Sequence, residues 1–554
     1  MKNDYFSLIK DCTDSYLSKL NDSKIDIDVV RYDLIKIVND EIDKCNLGPR
    51  DENTSKTDPI KVQYPYRKEA GKKFKNLLTF HPYQVAKLCV LYCNAKRIFW
   101  VKLEDKDNFS LAVYHNEGLY KGIYDVSNNA IDSAIRFVAP LISVKDLVEV
   151  KSILMTISPC VIRNDNRDLI AVNNGIFDYK NKKLLDFDPK YVFLSKSSVD
   201  FKFGAKLINI EMPDGKNWNI EDWYKSLSDD KEVINSLWEI TSAILRPNVD
   251  WNKAIFFHSP IGNNGKGTFC TLLRNLLGSN AVSSIPIGSF SKDFMLTPLL
   301  KVNAVICDEN NTGGYLENAE NFKLAVTKDP MRINIKNKEP KDIVFNGLLV
   351  QCVNDIPKVK DKTSSFYRRL LTIPMDKKFE GIERKYIKND YMFRKDVLEY
   401  VLNKALMTNF YELSIPEVSL KLKDEIKEAN DPVRQFYTDI FEDISWKLLP
   451  NTFLFDLYKA WREDNMPYNN KISSSRTLVK ELKTLLVEEL GTYEYMENRI
   501  SGIGRMDFPE PLIIKYNLKK WFNKSYKGND EDMIVSPVLD SKGYRGFLKV
   551  KDPN

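Results

Sequence analysis

The sequence predicts a multidomain α+β protein with a central α/β layer, an α+β region before it and a winged-helix-like domain after it. Three observations predict this. The chain has 554 residues, enough for three or four domains of about 150 residues each. From 251 to 395, apolar runs that read as buried strands alternate with helical patterns. From 446 to 554, two amphipathic helical patterns are followed by a short strand pattern.

The remaining boundaries come from composition. Residues 1–75 mix helical periodicity with the polar stretch LGPRDENTSKTDP (Leu47–Pro59), which reads as a linker. Residues 76–250 read as an α+β domain. It has a strand pair, Arg97–Leu103 and Phe109–His115, and a β-hairpin with an Asn-Gly turn within Leu169–Leu185. Residues 396–445 read as a helical connector. Apolar residues make up 43% and charged residues 29%, which excludes a disordered chain. The net charge of +6 permits an anionic partner without demanding one. No secretory h-region and no apolar run of about 18 residues is present, so a cytoplasmic protein without membrane contact is expected. The eight cysteines are scattered, which suits a reducing compartment. Cys89 and Cys93 read as helix core rather than metal ligands. Only three histidines are present, which argues against His-based catalysis.

The chemistry begins at SPIGNNGKGT (Ser259–Thr268). It follows the apolar run Ala254–Ser259 and opens the helical pattern Thr268–Gly278, the strand–loop–helix context of a phosphate-binding P-loop. Backbone N–H groups of Gly262, Asn263, Asn264, Gly265, Lys266, Gly267 and Thr268 would surround the phosphates of ATP, and the helix N-terminus adds positive potential. Lys266 would reach the β- and γ-phosphates. Two positions depart from the usual pattern. Pro260 stands where Gly is expected, and Gly267 where Ser or Thr follows the lysine, so the hydroxyl facing Mg²⁺ falls to Thr268.

Three later segments complete a nucleotide site. NAVICDEN (Asn303–Asn310) is an apolar strand ending in paired acids; Asp308 would hold Mg²⁺ and Glu309 would orient or deprotonate the attacking water. GLLVQCVNDIP (Gly347–Pro357) ends in Asn354, an amide placed to sense the γ-phosphate. In FYRRLLTIPM (Phe366–Met375), Arg368 and Arg369 precede an apolar strand and are candidates for transition-state charge stabilisation in trans.

In this order, GNNGKGTF (Gly262–Phe269), ICDEN (Ile306–Asn310), KLAVTKDPMRINIKNKEP (Lys323–Pro340), VNDIP (Val353–Pro357) and FYRRLLTIP (Phe366–Pro374) resemble superfamily 3 helicases, closest to the poxvirus D5-like branch of phages, plasmids and pathogenicity islands. VNNGIFDYKNKKLLDFDP (Val172–Pro189) resembles the module such proteins carry upstream. The resemblance implies an AAA+ ATPase acting as a homo-oligomeric ring, usually a hexamer, that moves 3′ to 5′ along single-stranded DNA and unwinds duplex. It favours Arg369 over Arg368 as the arginine finger. It also places Gly where this chain has Lys328 before Asp329.

Lys323–Lys341 carries six basic and two acidic residues, and the resemblance places a pore hairpin there. Lys336 and Lys338, with Arg332 behind them, are the candidate phosphate contacts. In the C-terminal domain, Leu478, Leu482, Leu485 and Leu486 line one face of a helix that Ser474 or Ser475 can cap. Arg476 and Lys480 lie outside it and could meet a DNA groove, such as that of an origin.

Two functions fit these motifs: a replicative helicase, and an ATP-switched origin-binding initiator or loader without processive unwinding. A fused primase is not expected, because no metal-binding carboxylate set precedes the motor; priming would fall to a separate chain.

Overall fold

A computed structural model of the chain describes residues 5–20, 25–47, 73–101, 108–310, 315–316, 318–336, 339–354, 358–359, 364–379, 384–465 and 474–550. Lys338, residues 355–357 and nearly all of the expected linker lie outside the described residues. The chain divides into two compact units, 1–420 and 421–554.

In the first unit, the helix Pro82–Tyr92 is started by a reciprocal cap, in which the His81 ring accepts the Tyr83 N–H and the Gln84 side chain accepts the His81 N–H. Its Cys89 and Cys93 are buried against Ile131 and Ile135. The expected strand pair forms as Lys96–Phe99 and Phe109–Tyr114, antiparallel with Lys96 opposite Ala112.

The expected hairpin also forms, but its turn is shifted. Val172 pairs with Gly175, so Asn173 and Asn174 make the turn and the glycine lies in the second strand. The glycine serves a close approach instead. A Cβ on Gly175 would lie 2.5 Å from the Leu185 carbonyl of the third strand.

Below this hairpin, Arg246 is buried, and among the described residues no carboxylate is hydrogen-bonded to it. Its guanidinium lies 3.6 Å from the Tyr179 ring centre and 4.8 Å from that of Tyr411, with Trp251 and Phe410 farther out. One Nη donates to the Phe410 carbonyl at 2.7 Å. The cage joins the hairpin to the segment after the central α/β layer.

The central α/β layer is a five-stranded parallel sheet of β1 (Ala254–His258), β2 (Val282–Ser283), β3 (Ala304–Cys307), β4 (Leu348–Val353) and β5 (Leu370–Pro374), in the order β2-β3-β4-β1-β5. Strands β1, β3 and β4 are buried at nearly every position, as continuous apolar runs in a parallel sheet should be. Helix α1 (Lys266–Leu277) follows β1, packs Phe269, Leu272, Leu273 and Leu276 into the core, and ends at Gly278 with φ +84°.

Helix α2 (Glu320–Thr327) ends at Lys328, which takes the left-handed conformation at φ 56°. That explains the glycine expected at this position from the resemblance. Here the side chain offsets the strain: Lys328 Nζ donates to the Pro247 and Val249 carbonyls at 2.8 and 2.6 Å and lies 3.3 Å from Asp250. Burial lowers its pKa to about 8.

The second unit begins before the expected boundary at 446. Helix α3 (Pro432–Ile440), read from sequence as connector, packs Phe436 against Tyr458 and Trp461. Then come β6 (Leu448–Pro450), α4 (Asn451–Asn465), α5 (Ser475–Lys483), β7 (Tyr493–Ile500) and β8 (Tyr544–Lys549), with β8 between β6 and β7 in an antiparallel sheet.

Among the described residues, no helix is long and apolar enough to cross a membrane.

Candidate nucleotide site

Strand β1 ends at His258 and α1 begins at Lys266, so Ser259–Gly265 is the connecting loop. Gly265 stands immediately before the helix at φ +87°, with no side-chain cap on the first turn. Apart from the Lys266 N–H, the open N–H groups of that turn are available to an anion. Asn264 braces the loop from inside, donating to the Ile261 carbonyl at 2.6 Å and accepting the Lys266 N–H at 3.2 Å. Asn263 is also left-handed at φ 53°, and its carbonyl accepts the Phe379 N–H at 2.8 Å. Gly262 and Pro260 are exposed.

The sheet order brings the separate motifs to one end. Parallel strands β1, β3 and β4 all finish on the same edge, with β4 in the middle. Lys266 Nζ donates to Asn354 Oδ1 at 2.8 Å, just beyond the end of β4, and to the Ser259 and Val353 carbonyls at 3.1 and 3.2 Å. Burial lowers the Lys266 pKa. Its three acceptors nonetheless satisfy the buried ammonium.

Asp308 and Glu309 follow β3 directly; Glu309 is exposed and Asp308 half-buried. One Asp308 oxygen pairs with Arg274 of α1 at 2.6 Å. The other, Oδ1, is buried and has no hydrogen-bond partner among the described residues. Such an orphaned carboxylate oxygen fits a cation. Asn310 spans two elements, donating to the Cys352 carbonyl and accepting the Ile287 N–H, both at 2.9 Å.

A cleft of about 620 Å³ opens beside the loop, lined by Asn263, Asn264, Gly265, Gly267 and Thr268 on one wall. The other walls come from elsewhere in the chain: Trp218 and Trp223 from before the parallel sheet, and Phe379, Arg384, Lys385 and Lys388 from after it. Arg384 is held by Asp214 at 2.9 Å, whereas Lys385 and Lys388 reach the solvent edge. Tryptophans beside an open helix N-terminus can seat an aromatic ring next to an anion. Sequence reading missed these residues, because tryptophans and lysines far from the motif carry no local signal.

Gly265 is the residue this geometry tolerates changing least. A Cβ there would lie 2.7 Å from Leu227 Cδ2, on top of the left-handed backbone. Gly265→Ala should cost about 1–3 kcal/mol of stability and weaken ATP binding. Thermal unfolding with and without nucleotide checks this; an unchanged midpoint and affinity would contradict the assignment.

The arginine pair lies at the opposite end of the sheet. Ala254 pairs with Leu370 and His258 with Pro374, so Arg368 and Arg369 adjoin the start of β1, not the loop after it. Arg369 donates to the Ser365 carbonyl and hydroxyl at 2.5 and 2.7 Å, while the Arg368 side chain is exposed.

The basic segment forms a hairpin of Met331–Ile333 and Lys341–Ile343, with Arg332 opposite Asp342. Lys336 is exposed in the connection. Much of the segment's charge is used internally. Arg332 lies 3.7 Å from Asp342, Lys341 donates to the Phe109 carbonyl at 2.7 Å, and Lys328 is buried as described. In the second unit, Ser474 caps α5, Leu478 and Leu482 are buried, and Arg476 and Lys480 lie on the outer face.

Comparison with known proteins adds three family matches. Residues 126–231 match a D5 N-terminal-like model, 257–369 a family of unknown function (DUF5906), and 428–527 a poxvirus D5 protein-like model. No match was found among curated proteins. Among solved structures, the apo C-terminal region of NrS-1 is 15% identical, covering 73% of this chain and 86% of that one at a TM-score of 0.40. The A form of that region is 14% identical, covering 85% and 100% at 0.42.

Proposed function

We propose, from the premise that this chain is poxvirus D5-like on both sides of its nucleotide fold, that it is an ATP-dependent DNA helicase of AAA+ type working as a homo-oligomeric ring in replication. The observation that carries the reading is the convergence of Lys266, Asn354 and Asp308 at one sheet edge, with Lys266 already on Asn354. The strand order, with the sensor strand between the P-loop strand and the acid strand, supports the AAA+ assignment.

Roles follow from position. The open first turn of α1 and Lys266 bind the phosphates, with the base against Trp218 and Trp223. Asp308 Oδ1 and the Thr268 hydroxyl would hold Mg²⁺, which supplies charge neutralisation at the phosphates. Glu309, exposed at the same edge, orients or deprotonates the attacking water. Asn354 couples Lys266 to the end of β4.

The arginines cannot serve the same subunit's phosphates, since a whole strand of five residues separates the two sheet ends, roughly 16 Å at about 3.3 Å per residue. That placement supports action on a neighbouring copy, hence the ring. Exposed Lys336 supports a phosphate-tracking hairpin, which requires charge without base readout. In the second unit, helix α5 follows α4 and packs beside the β6-β8-β7 sheet, whose last two strands are separated by the short helices Leu512–Lys515 and Glu531–Ile534; two helices against a small antiparallel sheet support a winged-helix-like domain presenting Arg476 and Lys480 to duplex DNA.

The test is a forked-DNA unwinding assay run beside ATP hydrolysis. Lys336→Ala should lose unwinding at least tenfold while keeping DNA-independent hydrolysis. Arg368→Ala and Arg369→Ala identify the finger: the true one loses hydrolysis alone and regains part of it when mixed with Lys266→Ala. Hydrolysis and DNA binding without strand displacement by wild type would favour the initiator or loader instead.

A further inference from the structure

The face of α1 beneath Lys266 holds a thiol that, with a second thiol on β4, the nucleotide site does not use. Cys270 follows Lys266 by one helical turn, and Cys352 sits in β4 two residues before Asn354. Their Sγ atoms are 3.4 Å apart, and both thiols are buried. A carboxylate oxygen of Asp308 completes a triad whose three donor atoms all lie within 4.8 Å of one another.

We propose that Cys270, Cys352 and Asp308 form a binding site for a thiophilic divalent cation of the zinc class, and that its occupation withdraws Asp308 from magnesium and stops hydrolysis. The first half stands on the triad alone; the second rests on the nucleotide-site reading above.

Three features support the site. Two sulfurs and one carboxylate are a donor set that soft cations prefer and magnesium avoids. A tetrahedral zinc ion at about 2.3 Å from each sulfur spaces them about 3.8 Å apart, close to the distance observed. A fourth position is left for water or a phosphate oxygen. Asp308, being half-buried, offers the entry, and Arg274 already fixes one of its oxygens. Ligation as thiolates releases the two thiol protons to water, and no oxidation occurs.

The site couples to hydrolysis through position. One ligand lies on the P-loop helix, one on the sensor strand and one after the acid strand, so a bound ion ties all three parts together.

The test uses the full chain, stripped of metal and free of nucleotide, titrated with Co²⁺. One equivalent should raise a thiolate-to-cobalt charge-transfer band, which Zn²⁺ then removes. Cys270→Ser and Cys352→Ser should each lose the band, and Cys89→Ser should keep it. In wild type, Zn²⁺ should slow alkylation of Cys270 and Cys352 at least tenfold, read by mass spectrometry, and leave exposed Cys160 unchanged; this arm needs no variant to fold. With Mg²⁺-ATP present, Zn²⁺ should inhibit wild-type hydrolysis at least tenfold and leave Cys352→Ser within twofold. Absence of the cobalt band, its persistence in both variants, or alkylation unaffected by zinc overturns the site. A cobalt band without zinc inhibition overturns the coupling. Because the band is read without ATP, failure of the nucleotide reading would leave it standing, and Lys266-dependent hydrolysis without a band would refute only this inference.

Discussion

Lys266→Ala should abolish ATP turnover, lowering kcat/KM by about 10²–10³-fold, the usual effect of removing one preorganised charge donor from a water-poor site. The structure adds a second consequence. Lys266 Nζ is the group through which Asn354, Ser259 and Val353 meet, so its removal leaves three acceptors facing a hole. Nucleotide affinity should fall as well as kcat. Asn354→Ala should behave differently. It removes one of three acceptors, leaves the ammonium in the loop, and should lower kcat more than it raises KM. Steady-state hydrolysis over a range of ATP concentrations separates the two patterns. A Lys266→Ala protein that hydrolyses ATP normally would end the P-loop reading.

The second large effect is on stability. Arg246→Ala should cost about 2–4 kcal/mol, measured by denaturant or thermal unfolding. The side chain is wholly buried, its guanidinium caged by Tyr179, Tyr411, Trp251 and Phe410. Alanine leaves a cavity among rings and an unmet Phe410 carbonyl. Arg246→Met restores most of the volume and loses only the cation–ring attraction and the hydrogen bond, so it should cost less than alanine. Arg246→Lys replaces a flat, weakly hydrated cation by a compact, strongly hydrated one and should not rescue. Equal stability of wild type and the alanine variant would show the cage to be incidental.

The positions in the fold of the loop after β1 and of the two acids after β3 were legible because each is written within a few consecutive residues: an apolar run, a glycine-rich turn, a helix; an apolar run, then Asp308 and Glu309. Parallel strands buried on both faces give such runs, and the sheet has five strands to show them. The features that were not legible depend on distant segments meeting. Trp218, Phe379 and Lys388 face one cleft across more than one element, and Cys270 meets Cys352 across 82 residues. The Asn-Gly pair within the upstream hairpin was misread for a subtler reason. It has the composition of a two-residue turn, yet strand pairing sets the turn one residue earlier and uses the glycine for clearance. The connector boundary failed similarly, since the domain to which helix α3 belongs is decided by where Phe436 packs. The charge of the basic segment was overread, because Lys328 and Lys341 are spent on backbone carbonyls.

The basic hairpin lies in the one continuous stretch of chain between β3 and β4, and those two strands are direct neighbours, with Ala304 beside Leu348. It is therefore a closed span with both abutments in the same hydrogen-bonded pair. Twisting the acids against Asn354 by even a fraction of an ångström loads such a span from both footings at once. A branch attached at a single footing could pivot and dissipate the strain. With Lys328 pinned to residues 247–250 and Lys341 pinned to Phe109, the free part of the span is shorter still, and Lys336 lies within it.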